Sequence, residues 1–439
     1  MHYVSFEKDI EKINVRENVN LFYTKNPYND IYSITFKVGV GSHENIELDY
    51  AARLMNYAGT STKKLEEVKS DFHKIGTSYS FSCDRSYVYI SMEGIEEFFP
   101  QALILLNDLI KDAQIAKEKI KLLVEEEKTG RKMEDKEPAD VAKALVEYIR
   151  KGENSEYLRR LPLKAIGKLK TDKMLLCFKN ALSYATEIHY CGKMYDADKV
   201  KKYIEKTYVF PEKINPTKSP VHIEDNEIKE NTVYFVNDPK AIQSQIYFIV
   251  NGDVYDIEKE AYYDAFNEYF GGGFSGLVVQ EIREYRSMAY STGAILRTPP
   301  LAQKKNAFVG FIGTQADKTN EALDVFMGLL RDMPVKTERL EVLKSSLVQE
   351  VYASRPDFRE LSETIINWQR KGFNDDPNKF KIEKFKSLTF EDIIKLYETE
   401  LKTKPVAICI VGDKNRLDMV HIGKYGKIVN VDKKNLYRK

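Results

Sequence analysis

Two stretches of this chain alternate apolar and polar residues around a proline-bearing turn. Residues 19–39 read VNLFYTKNPYNDIYSITFKVG and residues 232–252 read TVYFVNDPKAIQSQIYFIVNG. A period of two predicts paired strands in both. Pro239 follows Pro27 by 212 residues (239 − 27), and Ile246, Phe248 and Val250 follow Ile34, Phe36 and Val38 at the same spacing. Helical stripes repeat as well. Leu103, Leu106, Leu109 and Ile110 share a face in ALILLNDLIKDA, as do Leu323, Phe326, Leu329 and Leu330 in ALDVFMGLLRDM, 220 residues on (322 − 102). YIRKGENSEY and WQRKGFNDDP, from Tyr148 and Trp368, keep that offset, and so do IHYCG from Ile188 and ICIVG from Ile408. Single short matches arise by chance, but an ordered series at two constant offsets marks an internal duplication. The step from 212 to 220 predicts a longer loop in the second copy around Arg297–Lys305, which holds Pro299 and Pro300.

Each copy reads as strand, strand, helix, helix, strand, helix, long helices and a last strand. Such an order mixes hairpins and crossovers, and predicts an α+β class. Two similar domains are expected, each a mixed or antiparallel sheet packed with helices. The break falls within Val209–Asn231, where Pro211, Pro216 and Pro220 interrupt regular structure. The predicted domains are therefore 1–215 and 216–439.

A chain of 439 residues is too long for one ordinary core, which agrees with the duplication. Lys plus Arg (68) nearly balances Asp plus Glu (67), and a net charge of +1 gives no global reason to bind nucleic acid or anionic lipid. No apolar run has the length of a membrane-spanning helix. The start, MHYVSFEKDI, lacks the pattern of a secretory leader. The compartment stays open: cytoplasmic as written, periplasmic or exported if a leader has been removed. Cys83, Cys177, Cys191 and Cys409 form no CxxC pair and sit in or beside apolar runs, which predicts buried free thiols. Among His2, His43, His73, His189, His222 and His421, no two lie within four residues, so no metal-ligand spacing is present.

The most specific motif is YFGGGFSGLVVQEIREYRSMAYS, from Tyr269 to Ser291. Gly271, Gly272 and Gly273 permit positive φ and close backbone approach. Ser275 is placed to cap a helix, and Val278, Ile282 and Tyr285 are spaced to share its buried face. Arg283 and Tyr290 follow, with hydrogen-bond donors suited to a peptide carbonyl or a developing oxyanion. Taken alone, Arg283 would be read as a partner of Glu284 or Glu281, and Tyr290 as a packed strand residue. The whole segment, however, resembles the second-domain signature of pitrilysin- or insulinase-family zinc peptidases. The resemblance implies a pitrilysin-type, LuxS-like fold. It also implies that Arg283 and Tyr290 grip the substrate main chain across a chamber from zinc, with Gly271–Gly273 and Phe274 along the substrate path.

The same family carries H-x-x-E-H on a helix of its catalytic domain, with a further Glu ligand downstream. Aligned on Gly59-Thr60, the five motif positions here hold Tyr50, Ala51, Ala52, Arg53 and Leu54. Both His ligands are missing and a cation stands where the general base would be. Glu126 falls at the third-ligand position, where a lone carboxylate on a charged helix is expected to be solvated. No metal is expected in this chain.

A chain with the Arg–Tyr signature and no zinc motif is the expected non-catalytic half of such a peptidase. It would close the chamber on a peptide and depend on a homologous half bearing zinc, either as part of a longer polypeptide or as a partner subunit. In isolation it could pair with itself. The alternative is a structural assembly subunit, related to respiratory-complex core proteins and without a proteolytic role. A stand-alone peptidase lacks support, because no G-x-S-x-G, H-E-x-x-H or Cys/His signature occurs.

Overall fold

The computed structural model describes residues 3–439. Six strands from the first copy form one sheet: β1 (Glu11–Arg16), β2 (Val19–Lys25), β3 (Ile31–Val38), β4 (Thr77–Cys83), β5 (Val88–Ile95) and β6 (Thr186–Gly192), in the order β1-β2-β6-β3-β5-β4. Six from the second form another: β7 (Thr232–Asn237), β8 (Gln243–Val254), β9 (Ala289–Arg297), β10 (Lys305–Gln315), β11 (Ala407–Gly412) and β12 (Lys427–Asn430), in the order β12-β7-β11-β8-β10-β9. The series β2-β6-β3-β5-β4 and β7-β11-β8-β10-β9 are one topology used twice. Both sheets are mixed: β2 runs parallel to β6 and β7 parallel to β11, while the other pairs within each series are antiparallel. The sixth strand differs. β1 pairs antiparallel at the amino-terminal side, whereas β12 pairs parallel and comes from the carboxyl-terminal side.

The duplicated α+β architecture agrees with the pattern read from sequence, with one correction. Each copy has a hairpin, β4–β5 or β9–β10, where the periodicity showed a single strand. The segment TSYSFSC of β4 is an edge strand with small polar side chains on its outer face, so its apolar alternation is weak. The change of offset falls within these hairpins: the loop lengthens from 84–87 to 298–304, and β9 and β10 are longer than β4 and β5.

Helices cover one face of each sheet with the cores predicted from the stripes. Leu103, Leu106, Leu109 and Ile110 pack with Ile34, Phe36 and Val38; Leu323, Phe326, Leu329 and Leu330 pack with Ile246, Phe248 and Val250. The other faces are covered by exchange. Helix Pro138–Lys151 of the first copy lays Val141, Ala142, Leu145 and Val146 on Val236, Ile249, Cys409 and Val411 of the second sheet. Its counterpart, Leu361–Lys371, crosses the other way and places Ile365 and Ile366 against Val4, Ile10 and Phe22. The two seams differ in chemistry. Beneath Leu361–Lys371 the first sheet presents Lys37, Glu187 and His189, which meet Glu363, Arg370 and Ser362. The Lys37 ammonium also lies 4.4 Å from the Tyr87 ring centre.

Candidate functional site: a glycine-rich turn, a wide helical turn and a bulged strand

The signature segment begins where helix Glu260–Phe270 ends. A Cβ at Gly271 would lie 1.8 Å from the Ala294 carbonyl oxygen of β9, so only glycine lets the turn pass under that strand. Gly272 packs on the Glu268 backbone, and Gly273 has φ +46° with open space about its Cα. Two of the three glycines thus serve the protein's own packing, while Gly273 and Phe274 face outward. Phe274 is 71% exposed. The turn is closed by the Gly276 amide donating to the Gly272 carbonyl (2.7 Å) and by Gln280 Nε2 donating to the Phe274 carbonyl (2.5 Å). The Ser275 hydroxyl was the expected cap, but it is the Ser275 carbonyl that is engaged, accepting from Arg339 at 2.9 Å.

Leu277, Val278 and Ile282 are buried and anchor the next turn. Tyr285, expected on the same face, is exposed instead. Val279–Glu284 is a π-helical turn in which the Tyr285 amide reaches back five residues to the Gln280 carbonyl, at 2.9 Å. That wider turn rotates every following side chain away from an α-helical stripe. Glu281 braces the turn from outside, accepting from Arg286 at 2.5 Å and Lys336 at 3.0 Å. Burial alone would raise its pKa, but these two cations hold the carboxyl below its ordinary value.

The chain leaves the turn through Ser287 at φ 50°, and the Met288 amide donates to the Ile282 carbonyl at 2.9 Å. Pairing then jumps: Ala289 faces Thr314 and Ser291 faces Gly313. Tyr290 is the unpaired residue of this bulge, which re-aims its side chain outward. It is 86% exposed. Arg283 is half-buried, and its guanidinium lies 5.4 Å from the Phe274 ring centre and 3.5 Å from Glu284. The pairing with Glu284 is thus present, but it is an exposed contact of little energetic weight. Tyr290 does not pack into the strand.

The degenerate zinc positions lie on helix Glu47–Met55. Leu54 is fully buried, and the Tyr50 hydroxyl accepts from the Leu161 amide at 3.2 Å. Arg53 donates to Glu127 and, at 3.2 Å, to Glu126, with Asp49 3.7 Å away. Glu126 is exposed to solvent, as expected, but it is not unpartnered. It is held by Arg53 and by the Tyr57 hydroxyl, at 2.6 Å. Arg131 meets the other side of Glu127 at 2.7 Å. Burial works to raise the Glu127 pKa, yet the two arginines lower it overall; for Asp49, burial dominates and raises it. A guanidinium thus occupies the centre of the carboxylates. Among the described residues, no group of three or more His, Cys, Asp or Glu is arranged to hold a metal ion.

Sequence reading missed Asp49 and Glu127 as partners of Arg53. The signal was available, since Arg53 and Glu127 are separated by 74 residues, the interval expected between the zinc helix and the third ligand. His2 lies outside the described residues. His189 is buried with its Nδ1 2.9 Å from Ser362 Oγ, and its Nε2 is 3.8 Å from Glu187. This Ser–His–Glu arrangement is sealed beneath a helix, with Ser362 only 2% exposed, and offers no nucleophile to a substrate. All four cysteines are free; Cys191 and Cys409 are buried, while Cys83 and Cys177 are only partly so.

Residues 194–347 match the family model described as the peptidase M16 inactive domain. That match covers about a third of the chain and includes the whole glycine-rich signature segment. Solved structures share the fold over nearly its whole length. An M16 inactive domain from Pseudomonas fluorescens is similar at 15% identity and TM-score 0.71, over 92% of this chain and 98% of that one. The periplasmic protease PqqL from Escherichia coli is similar at 15% identity and TM-score 0.72, over 94% of this chain and 46% of that one. A mutant of the ferredoxin protease FusC, solved in complex with Arabidopsis ferredoxin, is similar at 12% identity and TM-score 0.72, again over 94% and 46%. The M16 inactive fold thus occurs both as a chain of this extent and as about half of a longer one. No curated protein matches the sequence. No helix among the described residues is long and apolar enough to cross a membrane.

Proposed function

We propose that this M16 chain, in two units spanning 1–215 and 216–439, is the substrate-holding half of a zinc endopeptidase whose metal resides in a homologous half. The observation that carries the reading is the build of one ridge. Buried Leu277, Val278 and Ile282 fix a π turn and a bulge, and these leave Phe274 and Tyr290 exposed and Arg283 half-buried over the Phe274 ring. A fold that uses irregular backbone to turn a phenol outward and to leave a guanidinium partly open to solvent is organised for recognition. In the first unit Arg53 fills the place of the metal chemistry, which supports catalysis in trans.

In the proposed reaction, the partner half supplies zinc-bound water and its general base. Here Arg283 and Tyr290 donate to the substrate's carbonyl oxygens, and Phe274 and the outward edge of the glycine-rich turn border the peptide. Holding an extended peptide against a fixed metal replaces an encounter in solution by a positioned one.

The test is cleavage of a fluorogenic peptide by this chain alone and with an H-x-x-E-H-bearing M16 half, with metal content measured in both. Activity only in the mixture, and its loss on Arg283→Ala, supports the proposal. Activity of the chain alone overturns it. No activity with any such partner favours an assembly role.

A further inference from the structure

Helix Glu260–Phe270 and helix Leu340–Ala353 border a cleft of about 310 Å³ that opens beside the glycine-rich turn. Tyr269, Val342 and Leu343 form its apolar wall, Glu268 and Glu338 its acidic rim, and Ser275 and Gln280 join it to the signature segment. We propose that this cleft receives a lysine or arginine side chain of an extended peptide. The inference rests on the substrate-holding reading above and adds a side-chain preference to it.

Internal symmetry supplies the first argument. Tyr269 corresponds to Tyr57 at the 212 offset (269 − 57), and Ser346 to Glu126 at the 220 offset (346 − 126). The cleft is therefore the second-copy counterpart of the place where Arg53 meets Glu126 and Glu127. In the first copy the protein's own guanidinium fills that place among carboxylates. At the matching position, 265 (53 + 212), the second copy has Ala265, which is buried in the core and carries no charge, so no guanidinium reaches the cleft from that position.

Charge supplies the second. Arg339 also lines the cleft and keeps its charge, but it points to the Ser275 carbonyl, to which it donates at 2.9 Å, and the two carboxylates outnumber it. Glu338 is exposed, and Glu268 accepts only a neutral hydroxyl, Ser346 Oγ at 2.9 Å. Along the same two helices Glu350 has a raised pKa, from burial first and then from the nearby charges of Asp264 and Glu268. Lys381 offsets Asp264 at 2.8 Å. An apolar wall with carboxylates at its mouth fits a long aliphatic stem ending in a cation.

The experiment is fluorescence anisotropy with the full chain and two labelled extended peptides, identical and uncharged except that one carries a single arginine where the other carries glutamine. The arginine peptide is expected to bind about tenfold more tightly, the scale of one charge-assisted contact. The double variant Glu268→Gln, Glu338→Gln is expected to erase that difference while keeping the weaker, sequence-independent binding. Arg283→Ala is expected to weaken both peptides equally. If wild type binds the two peptides alike but Arg283→Ala weakens both, the cleft proposal fails and the main-chain clamp stands. If preference persists in the double variant, the cleft is the wrong location. If neither peptide binds, both readings fail together.

Discussion

Arg53 of the degenerate motif helix donates to Glu127 on the facing helix, so that a guanidinium links the two helices. Removing the cation leaves Asp49 and Glu126 without a cationic partner and Glu127 with Arg131 alone. Arg53→Ala is expected to cost about 1–3 kcal/mol in chemical denaturation, with Arg53→Lys recovering part of it. A variant as stable as wild type would show that the cluster is mere surface decoration.

The cluster also sets a direction for pH dependence. The Glu127 carboxyl titrates below its ordinary value of 4.5 in the folded chain, because Arg53 and Arg131 outweigh burial. A lowered folded-state pKa contributes stability that is fully present above about pH 4.5 and is lost as pH falls through the folded value. Asp49 acts in the opposite sense, since burial raises its pKa above 3.8 and protonation there relieves a cost. The stability gap between wild type and Glu127→Gln, measured by urea unfolding, should be largest near neutrality and shrink below pH 4.5. A gap that grows on acidification contradicts this assignment.

The exchanged helices make each copy incomplete. Residues 216–439 alone would lack Pro138–Lys151, leaving Val236, Ile249, Cys409 and Val411 uncovered. That piece is expected to aggregate or remain partly unfolded, and to become soluble and ordered when 1–215 is co-expressed. Within the full chain, Leu145→Ala is expected to cost about 2–5 kcal/mol. Thermal unfolding should stay a single transition, because each sheet depends on a helix from the other copy. Two separate transitions in the wild type would show that the exchange contributes little.

Much of this architecture was legible because duplication doubles every signal. Ile34, Phe36 and Val38 mean little alone, but their recurrence as Ile246, Phe248 and Val250 marks a sheet used twice. The exchange of helices was not legible. Val141, Leu145 and Val146 announce a buried face, but nothing in a period of 3.6 says which sheet covers it. Arg283 and Tyr290 stand out in the sequence only through a family resemblance, while the outward placement of Tyr285 and Tyr290 depends on a π turn and a bulge. Both are backbone irregularities with no strict residue code, so Tyr285 was assigned to the wrong face.

The glycines of the signature segment separate packing from recognition. At Gly271 a methyl group would collide with the Ala294 carbonyl, whereas at Gly273 it meets nothing and only the positive φ resists it. Gly271→Ala is therefore expected to destabilise the fold by about 1–3 kcal/mol and to displace the turn from β9. Gly273→Ala should cost about 1 kcal/mol. If Gly273→Ala proves the more damaging to stability, the close approach to β9 is wrong.

Arg283 and Tyr290 allow the sharpest separation, because Tyr290 is exposed, Arg283 is half-buried and neither belongs to the core. Substitution should leave thermal stability within about 0.5 kcal/mol of wild type. Activity with a zinc-bearing half should behave otherwise. Loss of a donor to a developing oxyanion typically costs about 10²–10³ in kcat, and Tyr290→Phe removes a single hydroxyl without changing shape. A fall in kcat with KM little changed would assign Tyr290 to the transition state, whereas a rise in KM alone would assign it to ground-state binding. Equal activity of Tyr290→Phe and wild type would remove Tyr290 from the chemistry and leave Arg283 as the only donor of the ridge.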